Sequence, residues 1–309
     1  MLVRRATLIA AVICVAGTAH AACRMTLTSR LPLTPDSGHL LVPVTLDDKP
    51  AELIFDTGSF TTLLSLTAVA RLGLRHMSGE EFNGLLATVS GIGGDKPAMG
   101  VTARTVNIGG LTGRNYNFLA ADIAFPPSDG LLSTDLISQF DVDLDFPEDQ
   151  VVLYRPIGDC HTPAAFLASP LYAVPLRPIG EDRRPRVTVS IGGQDVVAMI
   201  DTGAPHSAIF RRAAERLGLR IDDLAADAHG TAGGIGPRTV ASVTHVFEPV
   251  TIGDLTFEHL PVDILDDRAD DEVEMLLGAD FQRQVHVWIS YSSHTLIMQY
   301  PPRPSKKAG

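Results

Sequence analysis

The sequence contains two copies of the tripeptide Asp-Thr-Gly, and these copies hold its clearest candidates for catalytic residues. Each follows an apolar run typical of a β-strand and begins a turn, where glycine permits tight backbone geometry. A turn of this kind presents a carboxylate at the end of a strand, inside a sheltered cleft. The two copies, each with the small residue that follows it, are Asp56-Thr57-Gly58-Ser59 and Asp201-Thr202-Gly203-Ala204.

Two carboxylates held close together can perform general acid–base chemistry. Because like charges side by side resist double ionisation, such a pair retains one proton between its members. The ionised member takes a proton from a water molecule that attacks a carbonyl carbon, while the protonated member donates to the carbonyl oxygen. Asp56 and Asp201 are therefore predicted to be catalytic, without a covalent intermediate. The sequence does not assign the proton to either one, since it belongs to the coupled pair.

The region around the two tripeptides is repeated along the chain. The second copy lies 145 residues after the first (56 to 201), and two further markers recur at the same offset. A glycine-rich marker recurs at 143 residues, so the copies differ there by a two-residue indel. Four markers in one order indicate two tandem copies of one structural unit. The marker pairs are 70–75 with 215–220, 131–135 with 276–280, and Gly91-Ile92-Gly93 with Gly234-Ile235-Gly236.

Each copy has the pattern of a small β-rich lobe. Short runs of β-favouring residues are separated by turn-forming residues, and the predicted helices at 66–72 and 211–217 each end at a glycine. Further short helices are predicted after 132 and after 277. The predicted fold class is therefore all-β with short helices, in two tandem lobes. Strands are predicted at 40–46, 51–55, 140–146 and 151–154, and at 187–191, 196–200, 285–291 and 295–299.

A proline-rich segment separates the two copies and sets the predicted lobe boundary. At 309 residues the chain is long enough for two cores. We divide it into a signal peptide (1–22), an N-terminal lobe (23–155), a connector (156–186), a C-terminal lobe (187–300) and a tail (301–309).

The first residues have the features of a secretory signal peptide. Arg4 and Arg5 precede an apolar run that ends in the small-residue site 19–21, so cleavage and export to the periplasm or the medium are expected. A retained anchor is disfavoured because a membrane span needs about 20 apolar residues. A lipoprotein acylated at Cys23 is a further alternative, which His20 disfavours because it fits lipobox preferences badly.

Two cysteines remain after the signal region, in a compartment that permits disulfides. We predict a disulfide between Cys23 and Cys160, which would tie the start of the mature chain to the connector. Two free thiols are the alternative.

Charge and histidine spacing limit the possible partners. The formal net charge of −11 becomes −13 once Arg4 and Arg5 are removed, which argues against nucleic acid and anionic lipid. The sequence has neither an HExxH motif nor clustered Cys/His spacing, so no metal and no cofactor are expected. The acidic run 263–274 lacks the glycine of a calcium-binding loop and is interpreted as a solvated loop. His206 is interpreted as solvent-facing or structural.

The two Asp-Thr-Gly units resemble the active-site motif of the aspartic peptidases, specifically the retropepsin-like group of bacterial exported proteins. The resemblance covers about 38–155 and 173–300. It includes two glycine-rich segments similar to the flaps of that family and a hydrophobic-hydrophobic-Gly element at 276–278. Ser133 stands where the first lobe should have the corresponding glycine, so looser packing of that loop is expected.

The resemblance implies how the site is assembled. Two lobes in one chain would form a pseudo-dimer, so the expected state is a monomer with an internal pseudo-two-fold axis. Thr57 and Thr202 would form hydrogen bonds across the lobe interface. Ser59 would bond the outer oxygen of Asp56, which Ala204 cannot do for Asp201, and the carboxylates would then be electronically unequal.

The resemblance also assigns the glycine-rich segments to substrate binding. Gly91-Ile92-Gly93 and Gly234-Ile235-Gly236 would close over an extended peptide, which pairs with them as an added strand. The alternative is a pair of hairpin turns with no substrate role.

The sequence thus predicts an aspartic-type endopeptidase that acts on peptide or protein substrates. A catalytically weak or inactive peptide-binding protein on the same fold is the alternative, motivated by Ser133. In a third interpretation, each lobe pairs with a lobe of another molecule and the protein is an obligate dimer.

Overall fold

The structure is a computed structural model, and it describes residues 24–81, 87–158, 170–178, 180–267 and 272–300. Its strands form two nine-stranded sheets, one in each half of the chain, and a six-stranded sheet to which both halves contribute. The predicted mainly-β fold with short helices and two tandem lobes is confirmed. None of the described helices is long and apolar enough to cross a membrane.

The described residues of the N-terminal half form two α-helices, α1 (Leu66–Leu72) and α2 (Thr134–Ile137), and a 3-10 helix at Phe146–Glu148. Its strands are β1 (Arg24–Pro32), β2 (Thr34–Asp36), β3 (His39–Leu46), β4 (Lys49–Phe55), β5 (Leu63–Ser65), β6 (Arg75–His76), β7 (Ala87–Gly91), β8 (Gly94–Ile108), β9 (Leu111–Ala121), β10 (Gly130–Leu132), β11 (Asp141–Asp145) and β12 (Gln150–Ile157).

The C-terminal half contains α3 (Arg211–Arg216), α4 (Ala279–Gln282) and a 3-10 helix at Ile221–Asp223. Its strands are β13 (Leu171–Pro175), β14 (Arg186–Ile191), β15 (Gln194–Ile200), β16 (Ala208–Phe210), β17 (Ala228–Ala232), β18 (Val240–Phe247), β19 (Val250–Ile252), β20 (Leu255–Phe257), β21 (Leu260–Leu265), β22 (Met275–Leu277), β23 (His286–Ser290) and β24 (Thr295–Gln299).

The two lobe sheets share one strand arrangement around the Asp-Thr-Gly turns. The N-terminal sheet has the order β2-β3-β4-β10-β5-β9-β8-β6, with β7 on β8, and the C-terminal sheet has the order β17-β18-β21-β16-β22-β15-β14-β19-β20. In each lobe the strand before the tripeptide lies parallel to a three-residue apolar strand, β4 beside β10 and β15 beside β22. β10 and β22 are buried and apolar throughout, and β4 and β15 are so in their last three residues, so each turn starts from a fixed strand end.

The shared sheet joins the lobes. Its order is β1-β12-β11-β23-β24-β13, and β11 of the first half pairs antiparallel with β23 of the second. The buried His286 ring bonds the Asp143 carboxylate across this junction, beside the fully buried Trp288. The sheet therefore fixes the two lobes relative to each other by backbone pairing, by side-chain bonding and by apolar burial.

The predicted helices agree with the structure. Ser65 caps α1 by accepting a hydrogen bond from the Ala68 amide at 3.0 Å, and Gly73 ends it in the left-handed conformation at φ 64°. α3 ends one residue before its predicted limit, with Leu217 as its cap. The domain limits stay a prediction. The segment that was predicted as the connector contains β13, which pairs with β24 at the edge of the shared sheet.

Candidate active site

The two Asp-Thr-Gly turns occupy equivalent positions in their lobes. The Asp56 amide donates to the Leu132 carbonyl at 2.9 Å, and the Asp201 amide donates to the Leu277 carbonyl at 3.0 Å. Each turn is thus fixed to the end of the neighbouring parallel strand. Asp56 is 7% exposed and Asp201 is 9% exposed, so both residues are largely removed from bulk water.

Backbone amides hold one oxygen of each carboxyl group. Asp56 Oδ1 accepts from the amides of Gly58 at 2.8 Å and Ser59 at 2.9 Å. Asp201 Oδ1 accepts from the two amides that follow it in the same way, at 2.9 and 3.1 Å. These bonds fix both carboxyl groups in orientation and leave the second oxygen of each for other partners.

The carboxyl groups face each other across the lobe interface, because glycines permit the close approach of the turns. A Cβ atom on Gly58 would lie 2.3 Å from Asp201 Cγ, and one on Gly203 would lie 2.5 Å from Asp56 Cγ. Neither position has room for a side chain. The structure therefore brings the two predicted catalytic residues together, each packed against the glycine of the other lobe.

Burial and mutual repulsion change the protonation of this pair. Burial, and then the neighbouring Asp201 charge, raise the pKa of Asp56 from 3.8 to about 8, although the Gly58 and Ser59 amides oppose the shift. Burial also raises the pKa of Asp201, against the lowering effect of its own turn amides. The pair therefore holds one shared proton at neutral pH, which an acid–base dyad requires.

Two threonines join the turns below the carboxyl groups. The Thr57 amide donates to Thr202 Oγ1 at 3.0 Å, and the Thr202 amide donates to Thr57 Oγ1 at 3.1 Å. Each hydroxyl then donates into the opposite lobe, Thr57 to the Ile200 carbonyl at 2.6 Å and Thr202 to the Phe55 carbonyl at 2.5 Å. The structure thus contains the cross-lobe bonds that the resemblance implied, and both side chains are fully buried.

The role expected for the Ser59 hydroxyl is wrong. Ser59 Oγ donates to the Thr61 carbonyl at 3.2 Å, and only its amide bonds Asp56. The turn directs the amide, not the side chain, at the carboxyl group. Because Ala204 supplies an equivalent amide to Asp201, the two carboxyl groups have matched turn partners, and the asymmetry expected from Ser59 does not arise there.

Sequence reasoning missed two side-chain pairs that support the turns. Thr62 Oγ1 donates to Asp135 Oδ1 at 2.7 Å, and Ser207 Oγ donates to Asp280 Oδ1 at 2.8 Å. Both pairs span 73 residues, and the second follows the first at the repeat offset of 145. The repeat offset could have revealed these two pairs, since a hydroxyl and a carboxylate recur at the same two positions of each copy.

Ser133 is packed as tightly as its glycine counterpart, so the expected loosening is not seen. Its amide donates to Thr62 Oγ1 at 3.1 Å, and the Gly278 amide donates to Ser207 Oγ at 3.0 Å. The side chain is fully buried, and its hydroxyl has no hydrogen-bond partner in the described part of the chain. The departure from glycine therefore leaves one buried polar group unpaired, a cost to stability.

We expect Ser133→Ala to stabilise the protein by about 1 kcal/mol and to change kcat/KM by less than about twofold, because it removes an unpaired buried hydroxyl. Chemical unfolding and peptide cleavage measure the two quantities. Ser207→Ala is the matched control and should destabilise by about 1 to 3 kcal/mol, because Ser207 bonds Gly278 and Asp280. Equal losses of stability in Ser133→Ala and Ser207→Ala would contradict the conclusion that the Ser133 hydroxyl is unpaired.

The predicted flap residues form one contact between the lobes. Gly91, Ile92 and Gly93 lie at the tip of the β7–β8 hairpin, and residues 234–236 lie in the loop between β17 and β18. Ile92 packs against an apolar cluster of the C-terminal lobe, as Ala204 does, and Ile235 packs against a cluster of the N-terminal lobe. The two tips therefore cross, each reaching the other lobe.

Three further predictions concern the disulfide, His206 and metal binding. Cys23 and Cys160, the signal peptide and the tail lie outside the described residues, so the disulfide stays a prediction. His206 is exposed, with a ring nitrogen 3.9 Å from the Asp280 carboxylate. Among the described residues no group of three or more His, Cys, Asp or Glu side chains is placed to hold a metal ion.

Comparison with known proteins gives two findings and one negative result. An aspartyl protease family model matches residues 42–136 and 187–281, which contain the two turns. The solved aspartic proteinase from Irpex lacteus has a similar fold, with a TM-score of 0.57 and 13% sequence identity, over 93% of this chain and 100% of that one. No curated protein matches the sequence.

The family match covers both lobes, and each matched region holds one Asp-Thr-Gly turn together with its support from the parallel strand. At 13% identity the solved structure shows a shared fold only. On the strength of the two matched regions, this chain belongs to the aspartyl protease family.

Proposed function

We propose that this protein is an aspartic endopeptidase that hydrolyses peptide bonds with a water molecule activated by Asp56 and Asp201. One observation supports this proposal above the others. Two buried carboxyl groups face each other, each packed against the glycine of the opposite turn, and together they retain one proton at neutral pH. Carboxyl groups with pKa values raised by burial and by a neighbouring carboxylate cluster at catalytic sites.

The proposed reaction uses both members of the dyad in sequence. The ionised carboxylate removes a proton from water as its oxygen attacks the scissile carbonyl carbon, and the protonated carboxyl donates to the carbonyl oxygen. The tetrahedral intermediate then collapses and the C–N bond breaks as the proton taken from water passes to the leaving nitrogen. A hydroxyl of the intermediate returns a proton to the other carboxylate, so the dyad again holds one proton. The turn amides keep each carboxyl group oriented throughout, so little reorganisation is needed.

The proposed substrate is an extended peptide segment beneath the crossed flap tips. Among the described strands β7 pairs only with β8, so an extended chain can add as a strand along the other edge of β7. Apolar clusters lie on both sides, one in each lobe, and the isoleucine of the opposite flap packs against each of them.

We propose that the protein acts after export and as a monomer. The basic and apolar start of the sequence supports export, and the shared sheet supports assembly of both lobes from one chain. Sedimentation at micromolar concentration tests the second point. A monomer supports it, and an obligate dimer favours the interpretation in which lobes pair between molecules.

The pH dependence of cleavage tests the proposed function. Since the pKa of Asp56 is raised to about 8, the dyad keeps its single proton through neutral pH and loses it as the pH rises through about 8. We therefore expect kcat/KM for a peptide substrate to fall about tenfold per pH unit above that value.

Titration with a statine-type inhibitor measures the number of competent active sites. Incubation of the same preparation with a denatured protein mixture measures cleavage. Stoichiometric inhibition together with cleavage supports the peptidase. Binding of the inhibitor without cleavage at any pH from mildly acidic to neutral contradicts it and favours the peptide-binding alternative.

A further inference from the structure

The tip of the first flap is held by a charged side chain from each of two loops of the C-terminal lobe. The Gly93 amide donates to Asp267 Oδ2 at 2.8 Å. The Gly93 carbonyl accepts from Arg238 Nε at 3.2 Å and from the Arg238 amide at 3.3 Å. Both polar groups of one flap residue are therefore bound by the opposite lobe.

The backbone conformation at the tip makes this contact specific to glycine. Gly93 has φ +87°, and a Cβ atom placed on it would lie 2.0 Å from the Arg238 carbonyl oxygen. The adjacent contact is equally close, because a Cβ on Gly236 would lie 2.0 Å from the Gly93 carbonyl carbon. The Gly236 amide also donates to the Ile92 carbonyl at 2.9 Å. The two flaps thus meet backbone to backbone.

Asp267 lies in the acidic run that the sequence suggested was only a solvated loop. The carboxylate of its neighbour Asp266 pairs with Arg211 at 2.7 Å on the same lobe, whereas Asp267 reaches across to the flap of the other lobe. A hydrogen bond to an ionised group is stronger than a neutral one. One residue of the run therefore has a specific contact between the lobes.

We propose that Asp267 and Arg238 form a latch that holds the first flap closed over the cleft and so controls how long a peptide stays bound. The effect on peptide residence rests on the proposed function, whereas the latch itself is a property of the free protein. Asp267 and Arg238 act through Gly93 and are positioning residues. A latched flap slows release of the bound chain, and the acid–base dyad is left unchanged.

Amide hydrogen exchange tests the latch without any need for activity. In Asp267→Ala we expect exchange in peptides covering residues 90–95 to become about tenfold faster, since opening no longer breaks a charged hydrogen bond. Asp267→Asn keeps a neutral acceptor and should give a smaller increase. Arg238→Ala loses the Nε bond but keeps the amide bond, and it should also give a smaller increase.

Asp266→Asn is the matched control, because it removes the neighbouring charge without touching the flap. Its flap exchange should equal that of the unmodified protein. Equal exchange in Asp267→Ala and Asp266→Asn would overturn the latch.

Kinetics of the same variants test the consequence for the site. Dissociation of a statine-type inhibitor from Asp267→Ala should be about tenfold faster, and KM should rise while kcat changes by less than about twofold. An unchanged dissociation rate would overturn the proposal that the latch controls how long a peptide stays bound. If the unmodified protein cleaves no peptide, the proposed function fails, while the exchange data still decide whether the latch exists.

Discussion

Asp56→Asn and Asp201→Asn should each reduce peptide cleavage by about 10³-fold or more, because either substitution removes a member of the acid–base pair. Asparagine can neither accept the proton of the attacking water nor supply the shared proton to the carbonyl oxygen. Its Oδ1 atom can still accept the two turn amides that now bond each aspartate, so the turns keep their geometry. Single-turnover cleavage of a fluorogenic peptide measures the loss.

Thermal unfolding provides the folding control for these variants. A carboxyl group whose pKa is raised in the folded state stabilises the fold fully below its unfolded pKa, and that stability is lost as the pH rises through the folded value. For Asp56 the window runs from 3.8 to about 8. Each asparagine variant should therefore melt higher than the unmodified protein by several degrees at pH 8, with little difference near pH 3.

One outcome would contradict the shared dyad, and a second would remove the support that these variants give it. Substantial turnover in either single variant would show that one carboxyl group is sufficient. Loss of cleavage with a lower melting temperature at pH 8 would instead assign the loss to misfolding.

The repeat explains why so much of the fold could be predicted from the sequence. Strands β4 and β15 end at the two tripeptides, and their apolar patterns with adjacent turn residues give local signals in both copies. A signal seen twice at one offset also fixes which segments are equivalent, so the lobes and their supporting elements followed without knowledge of contacts. The helix at Leu66–Leu72 was predicted to the residue because a glycine follows it.

Two features that could not be predicted depend on individual contacts, one within a turn and one between distant segments. The direction of the Ser59 hydroxyl is decided by the Thr61 carbonyl, a detail of one turn that its composition does not fix. The Asp267 contact joins residues 174 positions apart and has no counterpart in the repeat pattern. Equivalent positions in the sequence reveal what the lobes share, whereas a contact that occurs once, with no equivalent in the second copy, is visible only in three dimensions.

Thr57→Val and Thr202→Val should each destabilise the protein by about 2 to 5 kcal/mol, because each leaves two buried backbone groups without partners. Thr57→Val orphans the Thr202 amide and the Ile200 carbonyl, and Thr202→Val orphans the Thr57 amide and the Phe55 carbonyl. Valine matches threonine in shape, so the loss reports the hydroxyl rather than a cavity. Chemical unfolding measures the stability of each variant.

Activity should fall together with stability, because the same bonds set the distance between the carboxyl groups. A small misplacement of reacting groups costs about 10²-fold in rate. Thr57→Ser keeps the hydroxyl and should retain most of both properties, while Thr112→Val, at an exposed strand position, should change stability by less than about 0.5 kcal/mol. If the two buried valine variants behave like Thr112→Val, the threonine bonds do not hold the dyad together, and the shared sheet alone must set its geometry.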